Sequence, residues 1–250
     1  NFNLMIDRLK TQQNKLLANE RHEAWENVAR KIAHEIKNPL TPIQLIIDSL
    51  KNKYTDLLDE NNKRSFIDKV KTINKQVRQI ESLVNEFSDF ARMPKPIFKN
   101  ISLKNVVNDC LKLMKINDDS IKIDFTCNES ILINADSEQI SRVFINLVKN
   151  SIESLNEKYE KNNDFVKKIN IEIYEINDYI EILIIDNGIG LKESILSEIS
   201  KPYFTTKKNG SGLGLSIVVK IINDHNGTIE FLNYKKGAKI KITFPKINVS

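Results

Sequence analysis

The chain has 250 residues, 40% hydrophobic and 28% charged, which supplies two modest domains with cores and is too apolar for a disordered chain. Its formal charge of +5 comes from lysines scattered through many segments, among them Lys51, Lys53, Lys63, Lys167, Lys168, Lys235 and Lys236, so solvated surface is expected and no direct nucleic-acid partner. No apolar run approaches the roughly 18 residues of a membrane span. The start lacks a signal-peptide plan, and Cys110 and Cys127 form no CxxC, which argues for reduced thiols rather than a metal or disulfide framework.

The chain opens at Asn1 inside a helical pattern (Phe2, Ile6, Leu9, Leu16), which predicts an upstream region continuous with that helix. Leu40, Ile43, Ile47, Leu50 and Tyr54 then recur at helical spacing, and Phe66, Val70, Ile73, Val77, Ile80, Val84, Phe87 and Ala91 carry a longer stripe of the same kind. The polar stretch 56–62 joins them into an antiparallel hairpin with more apolar face than one hairpin can hide, so two copies forming a four-helix bundle are expected. Pro94 and Pro96 end the helix and favour an extended linker.

Beyond the prolines the pattern changes to α/β, and all seven glycines fall at or after Gly188. A helix is predicted over 102–115, then strands at 121–125 and 131–133. Asp136 or Ser137 caps a helix that sends Ile140, Val143, Phe144, Leu147 and Val148 to the core. After a polar insert at 157–168, strands at 169–176 and 179–185 flank an Asn177-Asp178 hairpin turn. A last helix over 213–224, stopped in a left-handed conformation at Gly227, and strands at 228–233 and 238–244 complete an α/β sandwich.

Three constellations carry chemistry. His34 lies two residues from Ile32 and from Ile36, which are expected on the buried stripe, so its ring should point outward. A neutral imidazole has a free ring nitrogen to attack phosphorus, and Glu35 beside it can accept the displaced proton or hold the tautomer. His22 and His225 are expected to be ordinary surface histidines, the latter simply preceding a helix stop. Asn38 stands where a zinc protease would need its second histidine, which removes that class.

The second constellation is Asp186-Asn187-Gly188-Ile189-Gly190 at the end of an apolar strand. It is either a tight turn or a site where the carboxylate accepts an adenine amino group while glycines admit the ring. Gly210-Ser211-Gly212-Leu213-Gly214 opens the last helix, where bare amides favour phosphate. The polar stretch 205–209 before it excludes a Rossmann fingerprint, and no GxxxxGK[ST] occurs. Third, Asn146 and Asn150 project from one helix face, either packing on a loop or holding Mg²⁺ and triphosphate oxygens.

The run Ala33-His34-Glu35-Ile36-Lys37-Asn38-Pro39-Leu40 resembles the H-box of sensor histidine kinases, with Pro39 expected to break or kink the helix. Asn146/Asn150, Asp186-Gly188-Gly190, Lys201-Pro202-Tyr203-Phe204 and Gly210-Gly212-Gly214 resemble, in order, the N, G1, F and G2 boxes of the Bergerat ATP fold. The segments 25–34, 40–45 and 84–96 look like the NtrY branch, membrane-anchored nitrogen-regulation kinases that signal to NtrX-type response regulators. The resemblance implies an α plus α/β chain: a HAMP-like relay helix at 1–24, a dimerisation and histidine phosphotransfer domain at 25–93, a linker at 94–100 and an ATP-binding domain at 101–250.

It further implies ATP and Mg²⁺ as cofactors, held by Asn146, Asn150, Asp186, Gly188, Gly190, Phe204, Thr205, Lys207, Gly210, Gly212, Leu213 and Gly214, with Asn150 and Asn146 nearest the metal. Residues 201–212 would form a mobile lid from which Lys207 reaches the γ-phosphate. Asn38 would help orient a water that dephosphorylates the partner. The expected partners are a second copy and a receiver domain, and the expected location is the cytoplasmic side of an inner membrane reached through an upstream segment. An ATP-hydrolysing conformational machine and a scaffold with a dead nucleotide site are the rivals; steady phosphate release without a phosphoprotein would favour the first, and failure to bind nucleotide the second.

Overall fold

The computed structural model describes residues 28, 30–91, 93–115, 120–127, 131–162, 164–196, 198–199, 201, 204–207, 210–234 and 237–246. The chain divides into two units, Asn1–Pro94 and Lys95–Ser250. His22 and the relay stretch 1–24 lie outside the described residues.

In the first unit helix α1 covers residues 30–54 and continues into a short 3-10 turn at Thr55–Leu57. The second helix, α2, runs over Glu60–Ala91. Asp59 starts it: its carboxylate accepts the Asn62 amide at 3.0 Å, the interaction of an N-cap. Pro39 does not break α1, which is helical on both sides of it. The proline still removes the N–H that the Glu35 carbonyl would otherwise receive.

Ile47 packs with Val70 and Val77, and Leu40 and Phe66 close around them. Val84 and Ala91 extend the buried row, so every seventh residue of the α2 stripe is covered. The alternate members Ile73 and Ile80 are not; they remain 48% and 42% exposed. Ile32 and Ile36, expected on the buried stripe, are likewise exposed in the single chain, where Ala33 is the covered residue of that turn. Two helices cover only one side of each other, and this leaves a second apolar face outside.

The second unit begins with a strand that the sequence pattern does not reveal. Strand β1, Lys99–Ser102, precedes helix α3, Leu103–Lys115, so Ser102 is extended rather than helical. Its antiparallel mate is β3, Leu132–Ala135, with Ile101 opposite Ile133. A β1 of four residues has too little alternation to be legible without that mate.

The main sheet contains β2 (Lys122–Cys127), β4 (Lys168–Ile176), β5 (Tyr179–Asp186), β6 (Thr228–Tyr234) and β7 (Gly237–Pro245) in the order β2-β4-β5-β7-β6. Only β2 and β4 are parallel neighbours; the remaining pairs are antiparallel. Ile169, Ile171 and Ile173 on β4, Ile180, Ile182 and Ile184 on β5, and Ile240, Ile242 and Phe244 on β7 are buried at alternate positions. Helix α4, Ser137–Lys161, supplies Ile140, Val143, Phe144, Leu147, Val148 and Leu155 to the core, and α5, Gly214–Asp224, supplies Ile217, Val218, Ile221 and Ile222. The result is a two-layer α/β sandwich.

Helix α5 is stopped by Asn226 at φ 57°, not by Gly227. The Gly227 amide bonds the Ile222 carbonyl at 2.9 Å, completing a Schellman-type stop in which asparagine takes the left-handed place. Gly227 is needed for space instead, since a Cβ there would lie 2.7 Å from the Phe244 ring.

His225 is not a surface residue but 4% exposed. Its Nδ1 pairs with the Ile221 carbonyl at 2.7 Å, which makes Nδ1 the protonated nitrogen and leaves Nε2 to accept the Asp136 amide at 3.0 Å. The Asp136 carboxylate in turn accepts the amides of Glu138 and Gln139, capping α4, and that of Ile97 at 2.8 Å. Burial alone would raise this carboxyl, but those amides outweigh it and hold it below the usual carboxylate range. Asp136→Ala should therefore destabilise the second unit by about 1–2 kcal/mol at neutral pH. Because a lowered carboxyl stabilises only while ionised, the difference should shrink as pH falls below about 4. Urea melts at several pH values check both the size and the sign.

Candidate nucleotide and phosphoacceptor sites

His34 is exposed on α1, and its neighbour Glu35 lies 4.0 Å from Lys31, an ion pair at the limit of contact between two well-solvated side chains. Asn38, also exposed, follows one turn later on the same face. An imidazole here is exposed, and Glu35 is the next residue along the helix.

The second unit builds its site along one face of α4. Residues 146, 150, 154 and 158 follow in four-residue steps, and each meets a different part of the glycine-bearing segments. Asn146 donates to the Arg142 carbonyl at 2.9 Å, which turns its Oδ1 toward the start of α5, where a Cβ on Gly214 would lie 3.2 Å away. Asn150 Oδ1 accepts the Lys207 ammonium at 2.6 Å, and the same ammonium pairs with Glu153. Ser151 donates to Asp186 at 3.2 Å, and Ser154 accepts the Ile189 amide at 3.1 Å. Lys158 bonds the carbonyls of Asn187 and Gly188.

Asp186 is buried at the end of β5. One of its oxygens accepts the amides of Gly188 at 2.9 Å and Ala238 at 3.4 Å, and the other accepts Ser151. Burial raises its carboxyl, opposed by those hydrogen bonds and by the charge of Lys158. Asn187 anchors the turn from the other side, with its amide donating to the Val166 carbonyl and accepting from Lys168. Gly190 and Gly212, at φ +75° and +71°, adopt a conformation that other residues rarely tolerate.

At the second glycine segment α5 begins after Leu213, whose side chain cannot cap the first turn, while the Leu213 amide itself donates to Ser211 Oγ at 3.2 Å. Gly214 opens that first turn. Such a terminus suits an anion. Phe204 is half-buried, and Thr205 Oγ1 accepts the Lys207 amide at 3.1 Å. A Cβ on Gly210 would press on that Lys207 side chain at 3.2 Å. Pro202, Tyr203, Lys208 and Asn209 lie outside the described residues.

The His Kinase A (phospho-acceptor) domain family matches residues 24–96, and the family described as histidine kinase-, DNA gyrase B- and HSP90-like ATPase matches residues 135–248. An NtrY-like sensor histidine kinase of Rickettsia bellii is 37% identical over 240 residues, 96% of this chain. The crystallised catalytic domain of histidine kinase ThkA is 32% identical with a TM-score of 0.53, covering 60% of this chain and 96% of that domain. The chain belongs to the histidine kinase family. ThkA in complex with the response regulator protein TrrA matches 96% of this chain and 67% of the ThkA chain, at 27% identity and a TM-score of 0.64. The chain spans 38% of the length of the Rickettsia relative.

Within this family member, Ser151, Glu153, Ser154, Lys158 and Gly237 contribute to the site without a motif of their own. Four-residue continuation of the Asn146-Asn150 spacing would have pointed to Ser154 and Lys158. Gly237 had no such signal: a Cβ there would lie 2.7 Å from the Asp186 carbonyl carbon, a contact only the sheet creates.

Gly188 shows how tightly the turn sits on α4, since a Cβ there would meet Ser154 Oγ and lie 2.9 Å from the Ser154 carbonyl carbon. Gly188→Ala must push the turn off the helix, at a cost of about 1–3 kcal/mol. Thermal melts should show that loss, together with a smaller upward shift on adding Mg·ATP than the unaltered chain gives.

Proposed function

We propose that the chain is an ATP-dependent autophosphorylating histidine kinase of a two-component system, transferring the γ-phosphoryl group of ATP to His34 and then to an aspartate of a response regulator of the NtrX type. The observation that carries this reading is that one face of α4 meets both glycine segments and Asp186 in one unit, while the other unit displays His34 beside Glu35.

In the proposed reaction a ring nitrogen of His34 forms a bond to the γ-phosphorus as the bond to the β-bridging oxygen breaks and ADP leaves. Glu35 takes the proton that the ring then releases. Asp186 accepts the adenine amino group, Gly188 and Gly190 admit the ring, and the uncapped first turn of α5 with Lys207 neutralises phosphate. Phe204, Thr205, Gly210, Gly212 and Leu213 shape the loop over the nucleotide.

The residues present also fit Mg²⁺. Asn150 Oδ1 already receives a cationic group, the Lys207 ammonium, with the Glu153 carboxylate beside it, and Asn146 adds a second amide oxygen nearby. Amide and carboxylate oxygens of this kind suit a hard cation that keeps water and takes its remaining ligands from substrate phosphates. Bound there, it would neutralise charge between the β- and γ-phosphates.

A second copy would cover Ile43, Leu50, Ile73 and Ile80, giving the dimeric four-helix bundle. No helix among the described residues is long and apolar enough to cross a membrane. Membrane anchoring through an upstream segment is part of the same proposal and rests on the likeness to NtrY-like sensor kinases. Removal of phosphate from the regulator, aided by Asn38, belongs to the same proposal.

A time course with γ-³²P-labelled Mg·ATP and a purified receiver domain tests it. Label should enter this chain first and then move to the receiver. Steady phosphate release with no labelled protein would instead support an ATP-driven conformational machine.

A further inference from the structure

The ammonium of Lys158 is the least expected feature of the α4 face. It reaches across from the helix to two consecutive main-chain carbonyls, those of Asn187 and Gly188 (the latter at 3.1 Å), directly after Asp186 in sequence. The Phe165 ring covers the same ammonium at 4.7 Å, a second contact that holds the charge in place. Tyr159 stands 6.1 Å from Phe165, and Lys167 lies over Tyr159 at 4.7 Å while bonding Asn156 at 2.7 Å, which ties the stack back to α4.

We infer that Lys158 is a positioning residue for nucleotide recognition: by clamping the Asn187-Gly188 carbonyls it fixes the turn from which Asp186 addresses the base. This rests on the reading of Asp186 as the adenine acceptor. Two carbonyls of successive residues point to one side only if the turn between them is held, and a single ammonium with three donors can satisfy both. The groups around Asp186 are the Ser151 hydroxyl and the Lys158 charge from α4, the Gly188 amide from the turn and the Ala238 amide from β7. Lys158 therefore acts on the carboxylate twice, through the geometry of the turn and through its charge, which opposes the effect of burial.

The experiment is calorimetric titration of the full chain with Mg·ADP between pH 6 and pH 8, on the unaltered protein, K158M, K158R and D186N. K158M should bind on the order of tenfold more weakly at pH 8. Any change of its deficit with pH should be an increase toward lower pH, because losing the lysine charge raises the buried carboxyl further and leaves less of the ionised acceptor. K158R, which retains charge and donors, should recover most of the affinity. If K158M binds like the unaltered chain while D186N is impaired, the role of Lys158 is overturned alone. That role is equally overturned by a K158M loss that K158R does not recover, which would mark a merely structural side chain. If the unaltered chain does not bind Mg·ADP, or D186N binds it equally well, the reading of Asp186 falls and the inference falls with it.

Discussion

Replacing His34 by Gln is expected to reduce ³²P incorporation from γ-labelled ATP to background while leaving nucleotide affinity unchanged. Glutamine is a good helix former of similar length and polarity, and position 34 is exposed, so α1 and the Ile47-Val70-Val77 core should be undisturbed. What disappears is the ring nitrogen lone pair, the only feature of that side chain able to form a bond to phosphorus. The nucleotide is assigned to the other unit, residues Lys95–Ser250, so calorimetry of H34Q with Mg·ADP should match the unaltered protein. Label persisting on H34Q would place the acceptor elsewhere and remove the basis of the proposed mechanism. Glu35→Gln should instead leave a slow reaction, since a general base typically contributes about 10²- to 10⁴-fold.

Asp186→Asn is expected to separate binding from stability. The asparagine oxygen can keep the amides of Gly188 and Ala238, and its NH₂ can donate to Ser151 if that hydroxyl turns, so the turn itself has every partner it needs. Toward the adenine amino group, however, an acceptor becomes a donor. Loss of a hydrogen bond to a charged group, about 1.5–3 kcal/mol, corresponds to roughly 10- to 150-fold weaker nucleotide binding. Stability should move the other way. Burial raises the Asp186 carboxyl, and a raised carboxyl lowers stability once it is ionised in the native state. D186N should therefore match the unaltered chain in acid, where the carboxyl is protonated in both folded and unfolded forms. It should become the more stable of the two as pH rises through the raised value. Melting curves from pH 4 to pH 8 check the sign, and an unstable D186N at pH 8 would show that the negative charge is needed to hold the turn.

Much of the fold is local enough to be legible. The seven-residue stripe of α2, the alternation in β4, β5 and β7, and the Asp136 cap of α4 each follow from a few adjacent residues whose periodicity or hydrogen-bonding chemistry sets their own conformation. The same holds for the turn after Asp186 and for the glycines before α5, where positive φ at Gly190 and Gly212 is a property of single positions. His225 departs from its expected surface position for the complementary reason. Nothing beside it in sequence reveals that Asp136, 89 residues earlier, offers its amide, or that Phe98 lies 5.1 Å from the ring.

What the sequence determined by itself, then, is most of the helices, strands and glycine turns, the short strand β1 excepted, and which residue types could carry phosphoryl chemistry. Tertiary structure decided what those residues touch: that Ser151 and Lys158 support Asp186, that Lys207 meets Asn150 and Glu153, that Gly237 must lack a side chain, and that Ile73 and Ile80 stay uncovered in a single chain. Periodicity specifies the face a residue occupies, because helix and strand geometry repeat. The partner on that face is fixed by packing between segments far apart in the chain, and no local repeat encodes it.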